Sequence, residues 1–254
     1  TPTRSSSTSA PRSPASPTGL PNRILEFRAN DFGDPIDGIR TYELVPNYAT
    51  PASSTFNVRA DTPLAEFDAR APSGRNLIEQ GAGTALDAIS DRLLFRVGYR
   101  NLGTPAAPIN SWVGNFTVNV SGVNPTSAAT YQTGVRWFEL RSTDLSNPPM
   151  TVRDQGTQNL APGNGAGINN WMGSIAQDGQ GNLGLGFSSS GPTQNANIAI
   201  AGRTGDDENR VMEHLVEASS LKDATSIPAT TATTDDLRLM QELARLVRLV
   251  GGPR

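Results

Sequence analysis

The sequence predicts an all-β fold of short antiparallel strands, and three observations carry that expectation. Segments with apolar residues at every second position recur from Arg23 to Arg203. They are separated by clusters of turn-forming residues, and the 254 residues include 25 Gly and 19 Pro, which favours many turns over long helices. The segments GIRTYEL from Gly38 and GVRWFEL from Gly134 repeat one pattern 96 residues apart, an offset that suits two propeller blades of about 40–50 residues each.

Taken in chain order, residues 1–21 are mostly Ser, Thr, Pro and Ala, too polar to offset chain entropy, and read as a disordered linker. Strands are expected at Arg23–Phe27, Gly38–Val45, Ser54–Val58 and Pro63–Asp68, with a single helical turn at Ala85–Ser90. In Arg92–Gly103, Leu93, Phe95, Val97 and Tyr99 alternate with Leu94, Arg96 and Gly98, which marks a sheet with one buried face. Asn110–Val123 carries Trp112, Gly114, Phe116, Val118 and Val120 on one face. Gly134–Ser142 places Val135, Trp137, Glu139 and Arg141 opposite Arg136, Phe138 and Leu140. The stretch Asn169–Gly191 reads as a hairpin turned by Asp178-Gly179-Gln180-Gly181-Asn182, and Asn197–Arg203 as the next strand.

After Arg203 the composition changes, so the β domain is expected over 22–203 and a helical tail over 204–254. GDDENRVMEHLVEASSLKDA is helix-compatible and holds the only histidine, His214. Asp235–Val250 has Leu239, Leu243, Leu246 and Val250 on one stripe, with Thr233 and Asp236 spaced as a capping box. An isolated helix of this length is marginal in water, so 235–250 is expected to dock, with a protein partner favoured.

Composition narrows the chemistry. There is no Cys and one His, which excludes disulfides, thiolate sites and multi-histidine zinc centres. The net charge of −3 gives no pull towards nucleic acid, and no apolar run approaches the ~20 residues of a membrane-spanning helix. No cofactor is indicated. Neither GNGAGINN nor GQGNLGLG opens a helix in a βαβ unit, so neither reads as a phosphate loop.

Three site readings remain, each beside a plainer one. Arg136, Trp137, Trp171 and Trp112 could present a surface for a sugar or peptide, but tryptophans in strands are more often core. Asp178 and Asn182 are weak calcium candidates, while the plainer reading is a turn whose Asp bonds its own backbone. Glu139 with Asp144, or Glu43 with Asp37, could be glycosidase carboxylates, but nothing marks either as a pair and Glu139 suits ion pairing on its sheet.

The motifs RLLFRVGYRNLG, GVRWFELR, DQGTQNLAP and NWMGSIAQDGQGNLGLGFSSS stand in this order. In that respect the chain resembles a group of uncharacterised secreted bacterial proteins with GVRWYELR and RWMGSIAMDxxGNIALGYS type motifs. The resemblance covers about Ile39–Arg203. It implies export, to a secreted or cell-surface location, and a β-propeller-like fold. It implies no known activity. This chain departs from the group in lacking Cys, in carrying Phe138 and Phe187 where the group has Tyr, and in having helix-compatible sequence where further blades are expected. The expectation is therefore an incomplete propeller-like array acting as a non-catalytic binding or structural module, with a carbohydrate or protein ligand. The alternatives are a carbohydrate-active hydrolase and a structural subunit of a larger assembly.

Overall fold

The computed structural model describes residues 22–72, 76–104, 106–122, 124–143, 150–159, 167–205 and 213–218, the last by its backbone alone. Alternating apolar residues and closely spaced turns produce consecutive antiparallel sheets. The first sheet joins β1 (Asn22–Arg28), β2 (Gly38–Val45) and β3 (Thr55–Pro63) in that order. A short ribbon pairs β4 (Asn76–Ile78) with β5 (Leu86–Asp87). The second sheet is β6 (Leu94–Asn101), β7 (Asn110–Asn119), β8 (Thr133–Ser142) and β9 (Thr151–Gln158). The third is β10 (Asn169–Gln177), β11 (Leu183–Gly191), β12 (Gln194–Arg203) and β13 (Glu213–Ala218). Strand accounts for 57% of the described residues and helix for 5%, so the all-β expectation holds.

The alternation in β7 and β8 explains how the sheets stack. One face sends Trp112, Phe116, Val118, Phe138 and Leu140 into a cluster with Leu25, Phe27 and Ile39 of the first sheet. Phe27 meets Phe116 edge-on at 4.9 Å between ring centroids. The other face sends Val113, Val135 and Trp137 against Ile175, Leu183, Leu185, Phe187, Ala199 and Ala201 of the third sheet. The second sheet is thus covered on both sides, and β7 is buried along its whole length. Alternation predicted the two faces of β7 and β8 correctly; it could not show that both are covered.

Two glycines permit close approaches in this stack. A Cβ at Gly114 would lie 2.5 Å from the Phe138 ring directly across the sheet. One at Gly173 would lie 2.4 Å from Asn115 Oδ1 and 2.6 Å from Val135. The absence of a side chain at 173 lets β10 lie directly on β7 and β8, where the Met172 N–H donates to Thr117 Oγ1 at 3.3 Å. The pairing of β10 with β11 shifts register between Trp171 and Ser174, and Met172 there has φ +50°, the local cost of this approach.

Four expectations are corrected. Pro63–Asp68 does not form a second strand: β3 runs on to Pro63, and the backbone beyond it is satisfied by other partners. Leu64 N–H donates to the Asp37 carbonyl at 3.0 Å, Ala65 N–H to Gln155 Oε1 at 2.8 Å and Phe67 N–H to Asp37 Oδ2 at 3.3 Å. Ala85–Ser90 forms no helical turn. The Asp87 carboxylate accepts from Ile89 N–H at 3.0 Å, and Ile89 has φ +44°, outside the helical region. Phe95 leaves the alternation of β6, with φ +53° beside a register shift between Leu94 and Gly98. In the segment read as helix-compatible, Glu213–Ala218 is a strand, pairing Ala201 with His214 and Ile200 with Val216. The edge of β12 offers a ladder, and tertiary pairing overrides the helix propensity of Glu213, Leu215, Glu217 and Ala218. The 1–21 linker and the 235–250 helix lie outside the described residues.

Candidate functional site

The repeated motif occupies one structural position. GIRTYEL is β2 and GVRWFEL is β8, and each is the strand before the last of its sheet. The matched arginines reach across to that last strand. Arg40 makes two 2.7 Å bonds to Asp61, and Arg136 donates to Thr157 at 3.0 Å and to Gln155 at 2.9 Å. The last strands carry matched bulges as well. Tyr42 pairs with Val58 and Thr41 with Ala60, leaving Arg59 as the extra residue on β3. Leu140 pairs with Val152 and Glu139 with Asp154, leaving Arg153 as the extra residue on β9.

The matched glutamates are buried and clamped by guanidinium groups. Glu43 bonds Arg23, directly opposite on β1, and the bulged Arg59. Burial works to raise the Glu43 pKa, but Arg59 and Arg23 outweigh it and hold the carboxylate below its ordinary range. Glu139, with none of its surface exposed, accepts from Arg141 Nε at 2.6 Å, Ser111 Oγ at 2.9 Å and Gln177 Nε2 at 3.1 Å. Arg203 of β12 reaches it at 3.4 Å and also bonds Asp154 of β9. This network therefore ties the second sheet to the third with charges removed from water. Such charges are costly unless paired.

The tryptophan and arginine residues read as a ligand surface do not gather into one. Trp112, Trp137 and Trp171 are 3%, 1% and 1% exposed and belong to three different clusters. Arg136 is 9% exposed, with burial pushing its pKa down and its guanidinium also bonding the Ala65 carbonyl at 3.0 Å. The large rings are consumed by packing between sheets, which is the plainer of the two readings.

Asp178 and Asn182 close the β10–β11 turn on themselves. The Asp178 carboxylate accepts from Gln180 N–H at 2.8 Å, Asn182 N–H at 2.9 Å and Asn182 Nδ2 at 2.7 Å. Asn182 Oδ1 accepts from Gly205 N–H at 2.8 Å. Asp178→Ala is therefore expected to cost roughly 0.5–2 kcal/mol, the scale of lost local bonds. Thermal unfolding with and without calcium checks it. A calcium-dependent melting temperature that disappears in the variant would reverse this assignment.

The proposed glycosidase carboxylates have separate structural duties. Asp37 accepts from Asn30 N–H at 2.8 Å and from Phe67 N–H at 3.3 Å, anchoring the chain that leaves the first sheet, while Glu43 is held by its arginines. Asp144 lies outside the described residues. A different acidic pair, Asp31 and Asp68, emerges only in three dimensions. Asp31 accepts from Ala69 N–H at 2.8 Å, and Arg70 Nε lies 3.1 Å from Asp31 and 2.9 Å from Asp68. Burial, followed by the neighbouring Asp68 charge, raises the Asp31 pKa, with the Ala69 bond opposing. Their chain neighbours Phe32 and Ala69, though not the two carboxylates, line a cavity of about 220 Å³ with Leu77, Asp87, Ser90 and Arg92, among others. No sequence spacing signals the acidic pair, because Asp31 lies in the loop after β1 and Asp68 in the connection after β3.

Among the described residues, no three acidic or histidine side chains are arranged to hold a metal ion, and no helix is long and apolar enough to cross a membrane. No family model, curated protein or solved structure matches the chain.

Proposed function

We propose that this chain is an exported, non-catalytic binding or structural module on a β-propeller-type scaffold. One observation carries the reading: in both copies of the repeated strand, the buried glutamate is neutralised by arginines and used to build the sheets. Groups able to do acid–base chemistry are spent on architecture. Consecutive antiparallel sheets packed face to face, together with the secreted group's motifs, support the propeller-type scaffold and export. The ligand is a carbohydrate or a protein.

A carbohydrate-active hydrolase is the second reading, and it rests on the raised Asp31, which shares Arg70 with Asp68. A general acid needs such a raised pKa, but both carboxylates are already bonded to Arg70 and to backbone N–H groups. Screening the purified chain against a panel of sialosides, arabinans and related glycosides separates the two. No turnover is expected. Turnover abolished by Asp31→Asn or Asp68→Asn, with the fold intact, would establish the hydrolase instead.

A further inference from the structure

We propose that the outer edge of β3 pairs with the same edge of a second copy of this chain, antiparallel about Asn57, so that two three-stranded sheets become one of six strands. The proposal goes beyond the reading as a binding or structural module, and a positive glycoside screen would leave it standing.

Among the described residues β3 is an edge strand, and Thr55–Arg59 is exposed on both faces of its sheet. Among the described residues, five large hydrophobic side chains are exposed, and four of them belong to β2, β3 or the loop between: Val45, Tyr48, Phe56 and Val58. Phe56 and Val58 are each 55% exposed, and Phe56 stacks on Tyr42 at 5.0 Å with an interplanar angle of 5°. Apolar surface is therefore concentrated beside a row of backbone groups that can template a further strand.

Edges are ordinarily guarded by charge, proline or a bulge. Here the guard is turned away. Arg59 is the bulged residue, and its guanidinium is committed to the buried Glu43. Asp61 is held within the sheet by Arg40. What remains, Thr55–Val58, is neutral and free of proline.

Self-complementarity selects a second copy as the occupant. Two-fold antiparallel pairing keeps both sheets facing the same way only if the axis passes through a residue. With Asn57 on the axis, Phe56 of each copy lies beside Val58 of the other, Thr55 beside Arg59, and no like charges oppose each other. The Tyr42–Phe56 stacks of the two copies then form one strip across the joined sheet.

The test is sedimentation of the intact chain over a wide concentration range, alone and as Phe56→Glu and Val58→Lys variants. Both positions are exposed, so circular dichroism should show both variants folded. The unchanged chain is expected to dimerise, each variant to be monomeric alone, and a mixture of the two to recover a dimer through the Glu–Lys contact. A chain that stays monomeric throughout, a dimer unaffected by both substitutions, or a mixture that stays monomeric would overturn the proposal.

Discussion

Arg203→Met is expected to destabilise the protein by about 3–5 kcal/mol, the range for removing one partner of a buried ion pair. The Arg203 side chain is 1% exposed and sits between Asp154 and Glu139. Methionine restores volume but leaves both carboxylates without their shared guanidinium. Because a domain of 150–250 residues loses roughly 2–4 °C of melting temperature per kcal/mol, the midpoint should fall by roughly 6–20 °C. Thermal unfolding followed by circular dichroism measures it. A shift below about 2 °C would mean that Arg203 is not part of the bond between second and third sheets.

Trp137→Ala is expected to cost a similar amount, about 3–5 kcal/mol, as for other large aromatic truncations in a core. The ring is buried among Val135, Leu185 and Phe187. A Cβ at Gly156 would lie 3.0 Å from the indole nitrogen, and Arg203 stands 5.4 Å from the ring centroid. Removing the ring would open a cavity and also strip the Arg203 guanidinium of its aromatic neighbour. A ligand-facing tryptophan would behave differently, changing stability by no more than about 0.5 kcal/mol while weakening binding. Chemical denaturation of the variant distinguishes the two outcomes.

Period-two patterns were legible wherever a strand had two chemically distinct faces or a clear turn. That is why the partition of Trp137 from Phe138, and of Trp112 from Val113, could be read from the chain, as could the Asp178 turn. The GxRx(Y/F)EL repeat was legible as a match of residues, and its structural meaning lay in Glu43 and Glu139. The partners of those glutamates were not legible. Arg59 reaches Glu43 from two residues beyond Asn57, the residue opposite Glu43, and Arg203 reaches Glu139 from a strand 64 residues away in another sheet. Pairing of that kind follows from sheet stacking, which no local pattern encodes. The segment around His214 was misread for a related reason: its own residues, Glu213, Leu215, Glu217 and Ala218 among them, favour a helix, and pairing with β12 overrides that preference. Asp31 and Asp68 escaped notice because they come from two separate connections, after β1 and after β3, that meet at Arg70.

The central claim is that a buried Glu139–Arg203 contact fastens neighbouring sheets. The most direct test is a double-mutant cycle of Glu139→Gln and Arg203→Met, with stability from urea unfolding. If the two side chains act as one unit, the double variant should lose less than the sum of the single losses, by about 0.5–3 kcal/mol. Losses that add to within about 0.3–0.5 kcal/mol would show independent sites and contradict the account.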